Sequence, residues 1–301
     1  MSGRGFIPPD FHYTLQQAQS QNSKATQMQL VLHAGAHFTE EDRLLRCLLR
    51  NAQEFSNRGV TVPGPGKYRT LLKETVAALQ DAPPAPDARD VLFDLILEEE
   101  NADRVILSQM FLFGAPRACV RNGVIYESAP ERVAQLAALF EHDEFELFLA
   151  LRNPATLLPA LFQQAPQEDM DSFLRGANPL DIKWSDTLTA IRAAAPTVKI
   201  IVWCFEDMPM IWSEIMREMA GLDHGQPIIG AFDLLYDIMS KEGAERFDAY
   251  IKDHPDLTEI QIRRVIAAFL DKFAVEDAIE EELDAPGWID SDIDAMTEIY
   301  E

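Results

Sequence analysis

Residues 28–42 read MQLVLHAGAHFTEED and decide the fold of the first part of the chain. Residues 28–33 are apolar enough for a buried parallel strand. Residues 34–37, Ala-Gly-Ala-His, form a turn made mostly of small residues. Beyond the acidic residues, apolar side chains recur at helical spacing from Leu44 to Phe55. The order of strand, tight turn and helix predicts an α/β unit whose first helix spans residues 40–57.

Thr39, Glu40, Glu41 and Asp42 stand where this helix is predicted to begin. A helix N-terminus exposes backbone N–H groups and a positive dipole end, which together bind anions in nucleotide-binding α/β proteins. The spacing predicts Thr39 as N-cap and Asp42 as its capping-box partner. Three carboxylates would also repel a phosphate. The local pattern therefore favours a self-capped helix without a ligand.

The composition limits the classes of partner. The chain has 301 residues, is 47% hydrophobic and carries a formal charge of −24. Nucleic acids and anionic membranes both require a basic face, so non-specific binding to either is excluded. Residues 276–301 contain eleven Asp or Glu and no Lys or Arg. We interpret this acidic end as a solvated surface, with docking of a basic partner as the alternative.

The sequence indicates a cytoplasmic protein. It has no apolar run near the roughly 20 residues that span a bilayer, and no apolar signal core at its start. The three cysteines, Cys47, Cys119 and Cys204, are far apart and lack ligand-like spacing. Neither a disulfide framework nor a metal site is predicted.

Residues 1–27 are rich in Gln and Ser and predict a disordered leader, followed by one α/β domain over residues 28–301. Alternating elements predict three layers around a mainly parallel sheet, with a helical C-terminal part from about residue 230. The predicted strands are 28–33, 60–62, 104–108, 145–151 and 198–203. The predicted helices that follow the first are 67–80, 87–100, 130–141, 154–164, 184–194 and 208–219, then 232–239, 244–251, 259–273 and 289–301. Asn122-Gly123 predicts a hairpin turn.

Taken in order, several segments resemble the bacterial sulfotransferase family, over about residues 28–301. The matching segments are Val31 to His37, Asn51, Arg58 to Val60, Pro63, Arg104 to Ser108, Leu151 to Pro154, Glu206-Asp207 and Trp288 to Glu301. The resemblance implies a P-loop-like fold that binds the sulfate donor 3′-phosphoadenosine 5′-phosphosulfate (PAPS). It further implies donor contacts at Gly35, Thr39, Ser108 and Arg152.

The chain departs from the family pattern at the donor loop. Phe38 stands where the family has a lysine, which removes the cation that stabilises charge in sulfuryl transfer. Arg152 matches the arginine that binds the 3′-phosphate, but Ala160 replaces its usual serine partner. Gln109 and Met110 stand near the place of a glutamate that many relatives carry.

His33, His37 and Glu206 are the candidate catalytic residues. A sulfotransferase would need one of them as the base toward a hydroxyl-bearing acceptor. The alternatives are hydrogen-bonding roles for the histidines and a favourable helix-start charge for Glu206. Lys67 and Arg69 are the candidate substrate contacts, with an ordinary polar helix start as the alternative.

Two functions stay open on the sequence. The first is sulfuryl transfer from PAPS to a hydroxyl acceptor without a metal. The second is a non-catalytic relative, a pseudoenzyme in which the fold is kept and the cleft binds a protein or a glycan. The acidic loop favours the second, and Arg152 and Ser108 favour a surviving ligand site.

Overall fold

The computed structural model describes residues 27–97, 102–279 and 285–301. Apart from its last residue, the predicted leader at residues 1–27 lies outside the described residues. The strands in the described ranges are β1 Gln29–His33, β2 Val60–Thr61, β3 Arg104–Ser108, β4 Val120–Arg121, β5 Val124–Ile125, β6 Glu144–Leu151 and β7 Lys199–Cys204.

Five of these strands form one sheet in the order β2-β3-β1-β6-β7, and every neighbouring pair is parallel. The register pairs include Val31 with Ile106, Leu32 with Leu147, and Leu149 with Val202. The predicted α/β class with a mainly parallel sheet is confirmed. The remaining strands, β4 and β5, form the predicted hairpin, in which Asn122 and Gly123 both have positive φ.

Helices cover both faces of the sheet. In the described ranges they are α1 Arg43–Arg50, α2 Ala52–Ser56, α3 Pro65–Asp81, α4 Ala88–Ile96, α5 Ala129–Leu139, α6 Pro154–Gln163, α7 Met170–Leu174, α8 Trp184–Ala194, α9 Met208–Ala220, α10 Asp233–Asp237, α11 Lys241–Asp253, α12 Glu259–Phe273, α13 Glu276–Ile279 and α14 Asp290–Tyr300. Two of them, α7 and α13, are too short to show a helical period and were not predicted from the sequence.

The central strands are buried on both sides, as expected for a parallel sheet between helices. Leu30 and Leu32 of β1 belong to the larger core cluster, which α3, α5, α6 and α8 complete. Val31 points to the other face and packs in a second cluster with residues of α1 and α9. The alternation along β1 therefore joins two cores into three layers.

The C-terminal helices lie in two places. Residues of α10, α11 and α12 surround a small third core of Leu235, Met239, Phe247 and Ile266, and α10 and α12 pack against α9. By contrast, α14 returns to α6. None of the helices in the described ranges is both long and apolar enough to cross a membrane.

The first helix differs from its prediction at both ends. It begins at Arg43 rather than at residue 40, and Asn51 separates α1 from α2. The Asn51 side chain donates to the carbonyls of Cys47 and Ile229 and accepts the Ile229 N–H. Asn51 thus ties the first helix to the segment before α10.

Candidate functional site

Four of the predicted site residues meet at the carboxyl edge of the sheet. Gly35 follows β1, Ser108 ends β3, Arg152 follows β6 and Glu206 follows β7. Open α/β sheets bind ligands at this edge. The structure thus places these four residues at one edge of the sheet, whereas their roles toward a donor or acceptor stay predictions.

The loop between β1 and α1 does not have the predicted cap. Phe38 and Glu41 have φ values of 58° and 51°, in the left-handed region, so the chain cannot be helical before Asp42. Asp42 is the N-cap residue and makes no side-chain cap hydrogen bond. The hydroxyl of Thr39 donates instead to the Ala36 carbonyl at 2.7 Å. The capping prediction for Thr39 and Asp42 was wrong.

Glu40 fills this loop from within. Its side chain is fully buried, and its Oε1 lies 2.6 Å from Nε2 of His33. A Cβ atom at Gly35 would stand 3.2 Å from the same oxygen, so the small residue allows the carboxylate this close approach. Burial opposes ionisation of Glu40, but the charge and hydrogen bond of His33 outweigh it, and the pKa of the carboxyl is lowered. An internal anion therefore lies in the turn where the resemblance implies a donor phosphate.

His33 connects Glu40 to the next strand. Its Nδ1 lies 3.0 Å from the Ser108 hydroxyl, and His33, Ser108 and Glu40 are each at most 2% exposed. Serine, histidine and a carboxylate are the residue types of a nucleophilic triad. Because the Ser108 oxygen is enclosed, this chain of contacts joins β1 to β3 and presents no nucleophile at the surface.

His37 is also held internally. Its backbone N–H donates to the Tyr126 hydroxyl at 2.9 Å, and its Nδ1 lies 2.6 Å from the same oxygen. The Tyr126 hydroxyl thus accepts from the amide and can donate to the ring. Burial lowers the pKa of His37 to about 4, so the imidazole is neutral at pH 7. Tyr126 lies 89 residues further along the chain, and no sequence pattern could have shown the pairing.

Arg152 faces the β1 loop rather than solvent. It is 2% exposed, its guanidinium donates to the Phe38 carbonyl, and its Nε donates to the Thr156 hydroxyl at 3.0 Å. The same guanidinium lies over the Phe205 ring, with 5.2 Å to the centroid. These contacts hold the left-handed residue Phe38 in place. Ala160, which follows two turns later in α6, is buried in that helix.

Glu206 is the exposed member of the group. Its carboxylate accepts the Asn153 N–H at 2.9 Å and contacts the Tyr300 hydroxyl at 3.1 Å. The same hydroxyl lies 3.1 Å from the Leu151 carbonyl, and burial together with Cys204 and Glu206 raises the pKa of Tyr300. Glu206 therefore joins α14 to the ends of β6 and β7. The contact from Tyr300 was not anticipated from the sequence.

An open cleft of about 570 Å³ lies beside these residues, and we call it the edge cleft. Carboxylates dominate its polar lining, and the cation Arg43 pairs with Asp237 at 2.6 Å. Its apolar lining includes Phe205, Met208 and Leu234. The remaining lining residues are Thr39, Glu40, Glu41, Asn153, Thr156, Glu206, Pro209, Ile238, Ala278 and Ile279.

Lys67 and Arg69 do not line the edge cleft. Arg69 makes two contacts to the Asp42 carboxylate and donates through Nε to the Ser108 carbonyl at 3.1 Å. The Arg69 side chain lowers the pKa of Asp42. Lys67 is exposed at the start of α3, near Pro63. The predicted contact of these two cations with a substrate stays a prediction.

The described residues contain no group of three or more His, Cys, Asp or Glu side chains placed to hold a metal ion. No family model and no curated protein matches the chain. Among solved structures, a sulfotransferase from Alicyclobacillus acidocaldarius is similar with a TM-score of 0.40 and 12% identity. The match covers 79% of this chain and 97% of that one. A likeness this distant decides nothing about the function of the chain.

Proposed function

We propose that this chain is a non-catalytic, sulfotransferase-like binding module whose edge cleft binds part of a protein or a glycan. In this proposal the parallel α/β architecture is kept, and the carboxylate of Glu40 fills the β1 loop. The buried contact between Glu40 and His33, at 2.6 Å, carries the proposal. A phosphosulfate entering the same turn would have to displace Glu40 or lie beside its negative charge.

The engagement of Arg152 supports the same conclusion. An arginine that binds a 3′-phosphate keeps donors directed toward the ligand. Here the guanidinium donates to Phe38 and Thr156 and lies over Phe205. Binding a nucleotide through Arg152 would therefore cost the hydrogen bond to the Phe38 carbonyl that fixes the loop.

The charge of the edge cleft indicates the class of ligand. Glu41 and Glu206 are exposed in its lining, and the cation Arg43 forms an ion pair with Asp237. A field of this sign favours a neutral or basic ligand over a sulfated or phosphorylated one. The volume of about 570 Å³ lies within the range of small-ligand sites.

We also propose a cytoplasmic location. Cys47, Cys119 and Cys204 are all free thiols. Reduced cysteines are typical of proteins that work in a reducing compartment.

Thermal unfolding with and without PAPS or its desulfated product tests the proposal. A ligand at about 100 times its dissociation constant adds about 2.7 kcal/mol to the free energy of unfolding. We expect no shift with either nucleotide at millimolar concentration. A clear shift that is lost in Arg152→Met would overturn the proposal in favour of a donor-binding sulfotransferase.

The second arm of the test measures binding to the edge cleft itself. Neutral and sulfated forms of the same oligosaccharides, and basic and acidic peptides of equal length, are compared by calorimetry. We expect the neutral or basic form to bind more tightly, and Glu206→Gln to weaken the basic one. A preference for the sulfated or acidic forms would contradict the proposal.

A further inference from the structure

A second open cavity, of about 720 Å³, lies away from the edge cleft. It is bounded by α3 between Arg69 and Gln80, by residues 109–116 after β3, and by Arg132 of α5; we call it the α3 pocket. None of its lining residues lines the edge cleft. A ligand here would therefore be held by other side chains than a ligand of the edge cleft.

The lining of the α3 pocket has the opposite charge to the rest of the chain. The protein has 50 Asp or Glu against 26 Lys or Arg. In the described part of the chain, the pocket lining includes Arg69, Lys73 and Arg132 but no acidic residue. A cavity that concentrates positive charge on so acidic a protein is suited to an anion.

Arg69 does not supply this free charge. Both of its terminal nitrogens contact the Asp42 carboxylate, and its Nε donates to the Ser108 carbonyl. Gln109 in turn donates through Nε2 to the Arg69 carbonyl at 2.9 Å. Arg69 is thus part of the wall of the pocket, with its charge balanced.

Arg132 has no such balance. Its guanidinium donates to the Leu112 carbonyl, while its Nε is buried and lacks a hydrogen-bond partner among the described residues. No carboxylate in the described ranges lies within ion-pair distance of it. Burial lowers the pKa of this guanidinium, and the charge of the neighbouring Glu131 opposes that shift only in part.

Three other arginines with little side-chain exposure each have a carboxylate partner. Arg89 pairs with Asp143, Arg104 with Glu146, and Arg217 with Glu259. A buried charge is costly unless it is paired. Arg132 is half-buried, with an enclosed Nε that has no partner among the described residues, so a negatively charged group in the adjoining cavity would supply the missing pairing.

Lys73 provides a second cation from the neighbouring helix. It lies one helical turn after Arg69 on α3, is exposed, and forms no ion pair among the described residues. Because α3 and α5 pack against each other, Lys73 and Arg132 approach one cavity from two elements. Two cations on separate helices can hold one oxyanion between them.

The rest of the lining is apolar. Phe111 is 53% exposed, and its ring centroid lies 5.6 Å from that of His37. Val76 and Ala77 of α3 and Leu112 extend this surface. An exposed aromatic ring beside cations favours a ligand that has a flat apolar body as well as a charged group.

We propose that the α3 pocket binds a small organic anion, an oxyanion group on an aromatic body, with Arg132 and Lys73 holding the oxyanion and Phe111 packing against the ring. The oxyanion is a carboxylate or a phosphate ester. The cations match the charged group of such a ligand, and the apolar wall matches its ring.

Calorimetric titration of the full chain with phenyl phosphate, benzoate and phenol tests this proposal. We expect one or both anions to bind and phenol to bind at least tenfold more weakly, since hydrogen bonds to charged groups correspond to about tenfold or more in affinity. Whichever anion binds identifies the oxyanion. Failure of both anions to bind, or equal binding of phenol, would overturn the proposal.

Variants assign the binding to this cavity. Arg132→Gln and Lys73→Gln should each weaken the anion by about tenfold. Lys252→Gln removes the same charge from an exposed position on α11 and should leave the affinity unchanged. Because Lys73 is exposed, its variant stays informative even if Arg132→Gln fails to fold. Anion binding that is unchanged in Lys73→Gln refutes the assignment.

Discussion

Replacing Glu40 by alanine should destabilise the protein strongly, because the carboxylate is the partner of a buried histidine. The Glu40 and His33 side chains are each 0% exposed and 2.6 Å apart at Oε1 and Nε2. Removing one partner of a buried charged pair costs about 3–5 kcal/mol. An unfolding entropy of about 2.1 cal/mol/K per residue gives about 0.6 kcal/mol/K for the 301-residue chain. The expected fall in melting temperature is therefore about 5–8 °C.

Scanning calorimetry of three variants measures this effect. Glu41→Ala is the matched control, since Glu41 is exposed and alanine keeps the same positive φ without a new side-chain contact. We expect the control to melt within about 1 °C of the wild type, as surface substitutions change stability by about 0.5 kcal/mol or less. Glu40→Gln keeps the shape and can still accept from His33, so its loss should be intermediate. If Glu40→Ala has the same melting temperature as Glu41→Ala, the buried carboxylate does not stabilise the loop.

The pH dependence of stability tests whether the buried Glu40 carboxyl is ionised in the folded protein. The pKa of Glu40 in the folded protein is lowered below its ordinary value of 4.5, so the unfolded chain binds the proton more readily. The stabilisation is therefore complete above pH 4.5 and is lost as the pH falls through the lowered pKa. The difference in stability between the wild type and Glu40→Gln should narrow below pH 4.5. A difference that widens in acid would contradict this assignment.

Three further predictions follow from the other contacts at the sheet edge. The His37 imidazole should titrate near pH 4 by NMR, and its contribution to stability should fall as the pH drops from 6.5 toward 4, because the unfolded chain takes up the proton first; titration near 6.5 would contradict its burial. Arg152→Met should lower the free energy of unfolding in urea by about 1–3 kcal/mol, since the Phe38 carbonyl loses its donor; an unchanged midpoint would show that Arg152 does not hold the loop. Tyr300→Phe should cost about 0.5–1.5 kcal/mol and speed amide exchange in α14, because Glu206 loses its contact; unchanged exchange would mean that α14 is held by packing alone.

The sequence was sufficient for the sheet because its strands are short apolar runs with clear boundaries. The strand predicted at 104–108 is Arg104–Ser108 in the structure, and the helix predicted at 184–194 is Trp184–Ala194. Parallel strands between helices bring their carboxyl ends to one edge, so Ser108, Arg152 and Glu206 could be placed together without any knowledge of their contacts.

The loop before α1 could not be predicted in the same way. Thr39 and Asp42 have the spacing of a capping box, but the left-handed conformations of Phe38 and Glu41 override it. The sequence does indicate negative charge at this turn. It does not indicate which carboxylate is buried, because the partner of Glu40 is fixed by the packing of β1 against β3 through His33 and Ser108.

The α3 pocket could not be predicted from the sequence either. Lys73 and Arg132 are 59 positions apart and have no shared motif. They come together because α3 and α5 pack on the same face of the sheet. Basic residues that are far apart in a sequence can still be brought into one cavity by the fold.

Titration of the wild-type chain with the desulfated product of PAPS, followed by calorimetry, is the most direct test of the central claim that Glu40 fills the β1 loop. The product carries both phosphates and avoids any heat from sulfuryl transfer. We predict no measurable binding to the wild type, and no binding to the control Glu41→Gln, because the buried carboxylate stays in the turn in both. Binding at micromolar concentration or below that is lost in Arg152→Met would contradict the account, because it would place a nucleotide where the structure has Glu40.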